Sequence, residues 1–259
     1  MIIAIVVSLV VAGLFHDSPL IAGFFLGVGG SALVTLLGTI PLTKYHFKLA
    51  CQVAVRRNEL IRVSISYLYR VGTPGQYLLI RGKRFPDQFQ PVGGVYKIFP
   101  SGLTRLKKSF EVVDDGLIPI DESSNNDLRI RVPSRKIIGF LKWFESSEDR
   151  ECTPIREFHE ELISDGLLDA KDFPFPVVQF VRRHYEPLRF SNYAKCRELL
   201  IADIYELSMN EEQVNLIKKA VDAHPGKLKW ATVEQIERHG AEPGKPFSDQ
   251  IALNAQWIL

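Results

Sequence analysis

One stretch carries most of the information in this sequence: Thr153-Pro154-Ile155-Arg156-Glu157-Phe158-His159-Glu160-Glu161-Leu162. Thr153 is a good helix N-cap and Pro154 suits the first helical position, so a helix is expected to begin here. Its apolar residues Ile155, Phe158 and Leu162 recur at the spacing of one buried helical face. The glutamates collect on another face, where like charges repel one another and weaken the helix.

Glu157, Glu160 and Glu161 therefore need a reason to lie together. A hard divalent cation such as Mg²⁺ accepts carboxylate oxygens and can bridge to phosphate oxygens, which makes a metal site one interpretation. A solvated acidic face, eased by Arg156 and by the positive end of the helix dipole, is the alternative from the residues alone.

The spacing of these residues resembles that of the Nudix hydrolase family. Arg156-Glu157-Phe158-His159-Glu160-Glu161 matches the core of the family's sequence box, Glu148 has the place of its first glutamate, and Gly93-Gly94 resembles its opening glycine pair. The resemblance covers residues 60–259. It departs from the family in two ways: 53 residues separate Gly94 from Glu148 where the box has five, and no glycine follows the paired glutamates directly. An insertion is therefore expected at about residues 97–147.

The resemblance implies an α/β (α+β) Nudix fold with a mixed sheet between helices. It also implies hydrolysis of a nucleoside diphosphate linked to a further group, with Mg²⁺ or Mn²⁺ held by the three helix glutamates. Arg156 and Glu148 would be the catalytic residues that orient these carboxylates. Gly93 and Gly94 would lie against the nucleotide.

Periodicity predicts the other elements of residues 60–259. The predicted strands are 60–71, 77–84, 128–132, 137–144, 177–181 and 198–207. The predicted helices are 103–110, 210–223, 233–239 and 248–259. Three widely spaced cysteines without a CxxC pair indicate a reducing compartment rather than a disulfide framework or a structural zinc site.

Residues 1–42 differ from the rest of the chain because Asp17 is their only charged residue. The apolar runs 1–15 and 20–42 predict a two-helix transmembrane hairpin, since the second run is long enough to cross a bilayer. A cleaved signal peptide is the alternative, but the first run lacks a basic segment before it and a clear cleavage site. The basic juxtamembrane connector that follows, residues 43–59, places the remaining domain in the cytoplasm by the positive-inside rule.

Small residues recur at every fourth position of the second apolar run: Gly23, Gly27, Ser31, Thr35 and Thr39. Such a stripe lets another helix approach closely. It therefore predicts either packing of the two hairpin helices against each other or self-association into a homo-oligomer.

Together, the hairpin and the Nudix-like domain resemble the membrane-tethered, SMODS-associated Nudix effectors of bacterial CBASS antiphage systems. This resemblance implies a two-pass inner-membrane protein whose domain senses a cyclic di- or trinucleotide and whose helices assemble to disrupt the lipid bilayer. Arg182 and Arg183 are candidate phosphate contacts, with a solvated basic loop as the alternative. A membrane-tethered, active Mg²⁺-dependent pyrophosphohydrolase is the second hypothesis, and a membrane-tethered Nudix domain that has lost activity and serves as a scaffold is the third. The net charge of +2 argues against a DNA or RNA duplex as partner.

Overall fold

The computed structural model describes residues 44–56, 58–117, 125–244 and 249–259. The predicted hairpin and its small-residue stripe lie outside these ranges. Within them, no helix combines the length and the apolar character that a bilayer crossing requires. The chain divides after Gln52 into two units, and the unit from Val53 to Leu259 contains the sheets and the candidate site.

The described strands and helices follow each other in mixed order, as expected for an α/β fold. The strands are β1 (Leu60–Arg70), β2 (Gly72–Thr73), β3 (Gln76–Arg81), β4 (Gln88–Pro91), β5 (Gly93–Val95), β6 (Val113–Asp114), β7 (Arg129–Pro133), β8 (Val177–Tyr185), β9 (Arg189–Ser191), β10 (Cys196–Ser208), β11 (Leu228–Thr232) and β12 (Gln250–Ile251). The α-helices are α1 (Lys44–Ala54), α2 (Pro100–Phe110), α3 (Ile137–Ser146), α4 (Ile155–Phe158), α5 (Glu211–Ala223) and α6 (Val233–Glu237). A π turn (His159–Ile163) and two 3₁₀ helices (Ser134–Lys136 and Leu253–Ile258) complete the set.

The strands form two sheets rather than the single mixed sheet that was expected. The first has the order β6-β7-β1-β10-β8, with β5 also paired to β1 and β9 to β10. It is mixed, because β1 runs parallel to β10 and antiparallel to β5 and β7. The second has the order β11-β3-β4-β12, with β2 paired to β3. Buried side chains from both sheets, from α6 and from the C-terminal 3₁₀ helix form one core: Leu68, Leu79, Phe89, Ala202, Ile204, Ala231, Ile236, Ile251, Ala255 and Ile258.

Two predicted elements are wrong. The apolar run 137–144, expected as a strand, is helix α3. An apolar run of this length fits either state, and burial at helical spacing decides it. The buried residues at that spacing are Ile137, Phe140, Leu141 and Phe144. The predicted helix 248–259 is instead the short strand β12 followed by a 3₁₀ helix, because Gln250 and Ile251 pair with β4.

The glycine pair lies where the chain passes from the second sheet to the first. Gly93 follows Val92 and begins β5 with a φ of 145°. A Cβ atom there would lie 2.2 Å from the carbonyl oxygen of Tyr67, so this position requires glycine. Gly94 stands opposite Tyr67 in the register of β1 and β5. The pair is therefore fixed by two sheets at the edge that meets the carboxylate helix.

Candidate functional site

The carboxylate helix consists of α4 and the π turn that continues it, residues 155–163. Its N-cap is Pro154 rather than the predicted Thr153, because Pro154 itself lies outside the helix. The Tyr69 hydroxyl donates to the Pro154 carbonyl oxygen at 2.6 Å and fixes this end. Phe158 is fully buried, which confirms the predicted apolar face.

The π turn changes where the glutamates point. The Ser164 N–H donates to the His159 carbonyl oxygen at 2.7 Å, a bond that spans five residues instead of four. In this wider turn, residue i+4 lies nearly in line with residue i, whereas residue i+3 is rotated away from it. Glu157 and Glu161 consequently face the glycine pair, and Glu160 turns toward solvent.

Close contacts join both of these carboxylates to the glycine pair. A Cβ atom on Gly94 would lie 2.0 Å from the Glu157 Oε1 atom. The Gly93 N–H donates to Glu161 Oε2 at 2.9 Å. Glycine at both positions therefore leaves the space that the carboxylates fill.

Burial makes these two carboxyl groups weaker acids than usual, because it raises the pKa of both. Glu161 is 8% exposed, and burial raises its pKa to about 8, against the opposing effect of the Gly93 N–H bond. The charge of Glu157 raises it further. Burial also raises the pKa of Glu157, even though Arg156 lies beside it. Burial therefore favours the protonated form of both carboxyl groups, and most strongly that of Glu161.

Arg156 forms ion pairs with three glutamates at the carboxylate helix. Its Nη1 atom lies 2.6 Å from Glu157 Oε1 and 3.0 Å from Glu160 Oε2. Its Nε atom donates to Glu151 Oε1 at 3.1 Å, and its Nη2 atom to the Val95 carbonyl oxygen at 3.0 Å. Burial opposes the guanidinium charge, but these carboxylates outweigh it and raise the pKa of Arg156. Arg156 therefore locks the helix to β5.

Glu151, which sequence reasoning missed, has the orienting position that was predicted for Glu148. Its Oε2 atom also accepts the Lys97 N–H at 3.1 Å. Glu148 instead forms an exposed ion pair with Arg105 of α2, 2.5 Å away. The structure thus places Glu148 beside Arg105 rather than beside Arg156, and its catalytic role stays a prediction. A second glutamate three residues closer to Arg156 was the available signal.

Arg150 holds the backbone of Glu151 in place. The Arg150 side chain is buried and donates to the carbonyl oxygens of Phe144 and Glu151. Its guanidinium carbon lies 3.8 Å from the centre of the Phe144 ring. The loop before the carboxylate helix is thereby tied to α3.

Arg182 and Arg183 do not share a surface, because neighbouring residues of a strand face opposite sides. Arg183 binds Asp203 with two hydrogen bonds, of 2.5 and 3.0 Å. Arg182 donates to the carbonyl oxygens of Trp257 and Leu259. Both arginines thus make contacts within the domain, and their role in binding phosphate stays a prediction.

The fit of a divalent cation differs among the three predicted ligands. Glu157 and Glu161 offer hard oxygen donors in a buried place, which suits Mg²⁺ or Mn²⁺, although Arg156 already lies 2.6 Å from Glu157. Glu160 has a side chain that is 47% exposed and is paired with Arg156. Among the described residues, no three His, Cys, Asp or Glu side chains are grouped so that they could hold a metal ion.

Comparison with known proteins gives one match. A sequence model of the SMODS-associated NUDIX domain matches residues 60–259. No curated protein and no solved structure matches the chain.

Proposed function

Because the chain belongs to the SMODS-associated NUDIX domain family, we propose that it is a membrane-anchored effector of a bacterial cyclic-oligonucleotide (CBASS) antiphage system. The domain senses a cyclic di- or trinucleotide in the cytoplasm. Residues 1–42, whose only charged residue is Asp17, form a two-pass anchor in the inner membrane, and their small-residue stripe supports the homo-oligomer that disrupts the bilayer.

One observation favours a receptor over a hydrolase. Arg156 pairs with Glu151, Glu157 and Glu160 at once, and the π turn directs Glu160 away from the glycine pair. A carboxylate held in this way serves to fix the helix on the sheet. The domain thus keeps the fold of the family while its helix carboxylates stabilise a binding scaffold.

The second candidate, a Mg²⁺-dependent pyrophosphohydrolase, is supported by the other two carboxylates. Glu157 and Glu161 lie together against Gly93 and Gly94 and would hold the cation. A bound Mg²⁺ would supply neutralisation of phosphate charge and a more acidic water. Arg156 would keep the Glu157 carboxylate in place during such a reaction.

Dye-loaded liposomes that contain the full-length chain separate the two functions. We expect one member of a panel of cyclic di- and trinucleotides to cause leakage without nucleotide turnover. Gly27→Leu, in the stripe, should abolish leakage and spare binding. Gly29→Leu, on the opposite helical side, is the matched control and should still leak. Turnover that Glu160→Gln/Glu161→Gln abolishes, with no leakage under any ligand, would support the hydrolase instead.

A further inference from the structure

Strand β8 is an edge of the first sheet. Among the described strands it pairs only with β10, and β9 continues along the same side of β10. The opposite edge of this sheet is β6, which has only two residues. The outer N–H and C=O groups of β8 can therefore pair with a further strand.

The first half of this edge strand is apolar and exposed. Residues 173–181 contain no charged side chain. Val177 is 64% exposed and Phe180 is 51% exposed, and Phe175, in the segment that leads into the strand, is 87% exposed. Edge strands are commonly protected from pairing by a charged side chain, especially lysine. The first half of β8 lacks this protection, so we expect a partner strand to cover it.

Two features limit the length of edge that a partner can use. Pro176, which has no N–H to donate, directly precedes the strand. A bulge follows, because the register of β8 and β10 shifts between Ile204 and Tyr205 and leaves Val181 without an opposite residue. The regular part of the free edge is therefore residues 177–180.

The register shows which backbone groups of this part point outward. The Glu186 N–H donates to the Leu200 carbonyl oxygen, so the even-numbered residues of β10 direct their backbone groups toward β8. Gln179 stands opposite such a residue and therefore bonds inward. Val178 and Phe180 alternate with it and direct their N–H and C=O groups away from the sheet.

Two copies of this edge are complementary to each other. A two-fold axis in an antiparallel pair places one residue opposite itself. With Gln179 on the axis, Val178 of each copy lies opposite Phe180 of the other, and both residues offer outward-facing groups. An axis at Val178 would instead place Pro176 opposite Phe180 and lose a donor on each side.

The positions of the charged residues also fit a second copy. Arg182 lies three residues from Gln179, so its two copies would be about 20 Å apart at about 3.4 Å per residue. This distance exceeds the Debye length of about 8 Å at physiological ionic strength. An axis at Phe180 would bring these arginines closer together. The register centred on Gln179 therefore joins the apolar halves and keeps the like charges apart.

We propose that β8 is a homodimer interface, in which the strands of two chains pair antiparallel about Gln179 and join their first sheets into one. Because both chains use the same strand, the assembly closes at two copies. This contact goes beyond the proposed function and requires neither a nucleotide nor the small-residue stripe.

Disulfide trapping of the full-length chain in detergent tests the interface. Cys51, Cys152 and Cys196 are first replaced by Ser, so that each variant carries one cysteine. Gln179→Cys should then give a dimer under a mild oxidant, because opposite Cα atoms in an antiparallel pair lie about 4.5–5.5 Å apart, within reach of a disulfide. Val177→Cys is the matched control on the same strand. Its two copies would lie about 14 Å apart, so it should cross-link at least roughly ten-fold more slowly.

A charge at the edge provides a second test. Phe180→Lys should reduce the yield of the Gln179→Cys dimer roughly ten-fold, because lysine opposes strand pairing. Tyr193→Lys changes an exposed aromatic residue outside β8 and should leave the yield within about two-fold.

Three results would overturn the interface. The first is a Gln179→Cys variant that forms no dimer or cross-links no faster than Val177→Cys. The second is a dimer yield that Phe180→Lys leaves unchanged. The third, with the oxidant added to membranes of expressing cells, is a Gln179→Cys disulfide to a different protein without any dimer, which would assign the edge to another partner.

Discussion

Replacement of Glu161 by Gln should change how the stability of the domain depends on pH. Burial raises the pKa of this carboxyl from the ordinary 4.5 to about 8 in the folded protein. The folded state therefore holds a proton that the unfolded state releases above pH 4.5. Stability is highest at low pH and falls as the pH rises through this window, the reverse of the usual behaviour of a paired carboxylate. Glutamine stays neutral and can still accept the Gly93 N–H.

The size of the effect follows from the two pKa values. At 1.36 kcal/mol per pKa unit, raising the pH from 5 to 8.5 should cost the wild-type chain about 4 kcal/mol more than the Glu161→Gln variant. Added Mg²⁺ should reduce this difference, because a cation between Glu157 and Glu161 favours the ionised form.

Urea unfolding of the full-length chain in detergent and EDTA, followed by tryptophan fluorescence, provides the measurement. All three tryptophans belong to the unit from Val53 to Leu259, so the signal reports on the domain. Glu160→Gln is the matched control, because this exposed side chain contributes at most about 1 kcal/mol through its ion pair. Parallel pH profiles of wild type and Glu161→Gln would refute the argument from burial.

Three further substitutions test the scaffold. Gly93→Ala should lower the free energy of unfolding by roughly 3 kcal/mol or more, because the new Cβ would clash with the Tyr67 carbonyl oxygen and alanine avoids the φ of this position. A urea midpoint equal to that of wild type would contradict this. Glu151→Gln should weaken the ligand or substrate response of the domain and lower its free energy of unfolding by about 2 kcal/mol. Glu148→Gln should leave the free energy of unfolding within about 0.5 kcal/mol of wild type in the same assay. Asn210→Ala removes the capping box of α5 and should cost about 1 kcal/mol, seen as a lower melting temperature by circular dichroism.

Local patterns in the sequence were sufficient to predict the strands and helices whose apolar residues recur with one clear period. The alternation after Leu60 predicts β1, and helix α5 begins one residue from its predicted start. Helix α3 was missed although its buried residues have helical spacing, because a short apolar run satisfies both periodicities when its partner surface is unknown. What decided the matter was the burial of five of its ten residues in the folded domain, which no local pattern records.

The candidate site shows the same limit. The glutamates and the glycine pair could be named from their spacing, but not the roles of Glu148 and Glu151, which depend on the path of a loop. Arg182 and Arg183 were grouped because they are neighbours in sequence, and a strand separates neighbours by placing them on opposite faces.

The number of residues in the π turn sets the direction of the side chains that follow it. Such turns hold one residue more than a regular helix of the same height, so removing one residue between His159 and Ile163 would restore an α-helix. Every side chain after that point would then rotate relative to Glu157, which precedes the turn and would stay against Gly94, whereas the residue that accepts the Gly93 N–H would change. The number of residues in this one turn therefore decides whether a second carboxylate reaches the glycine pair.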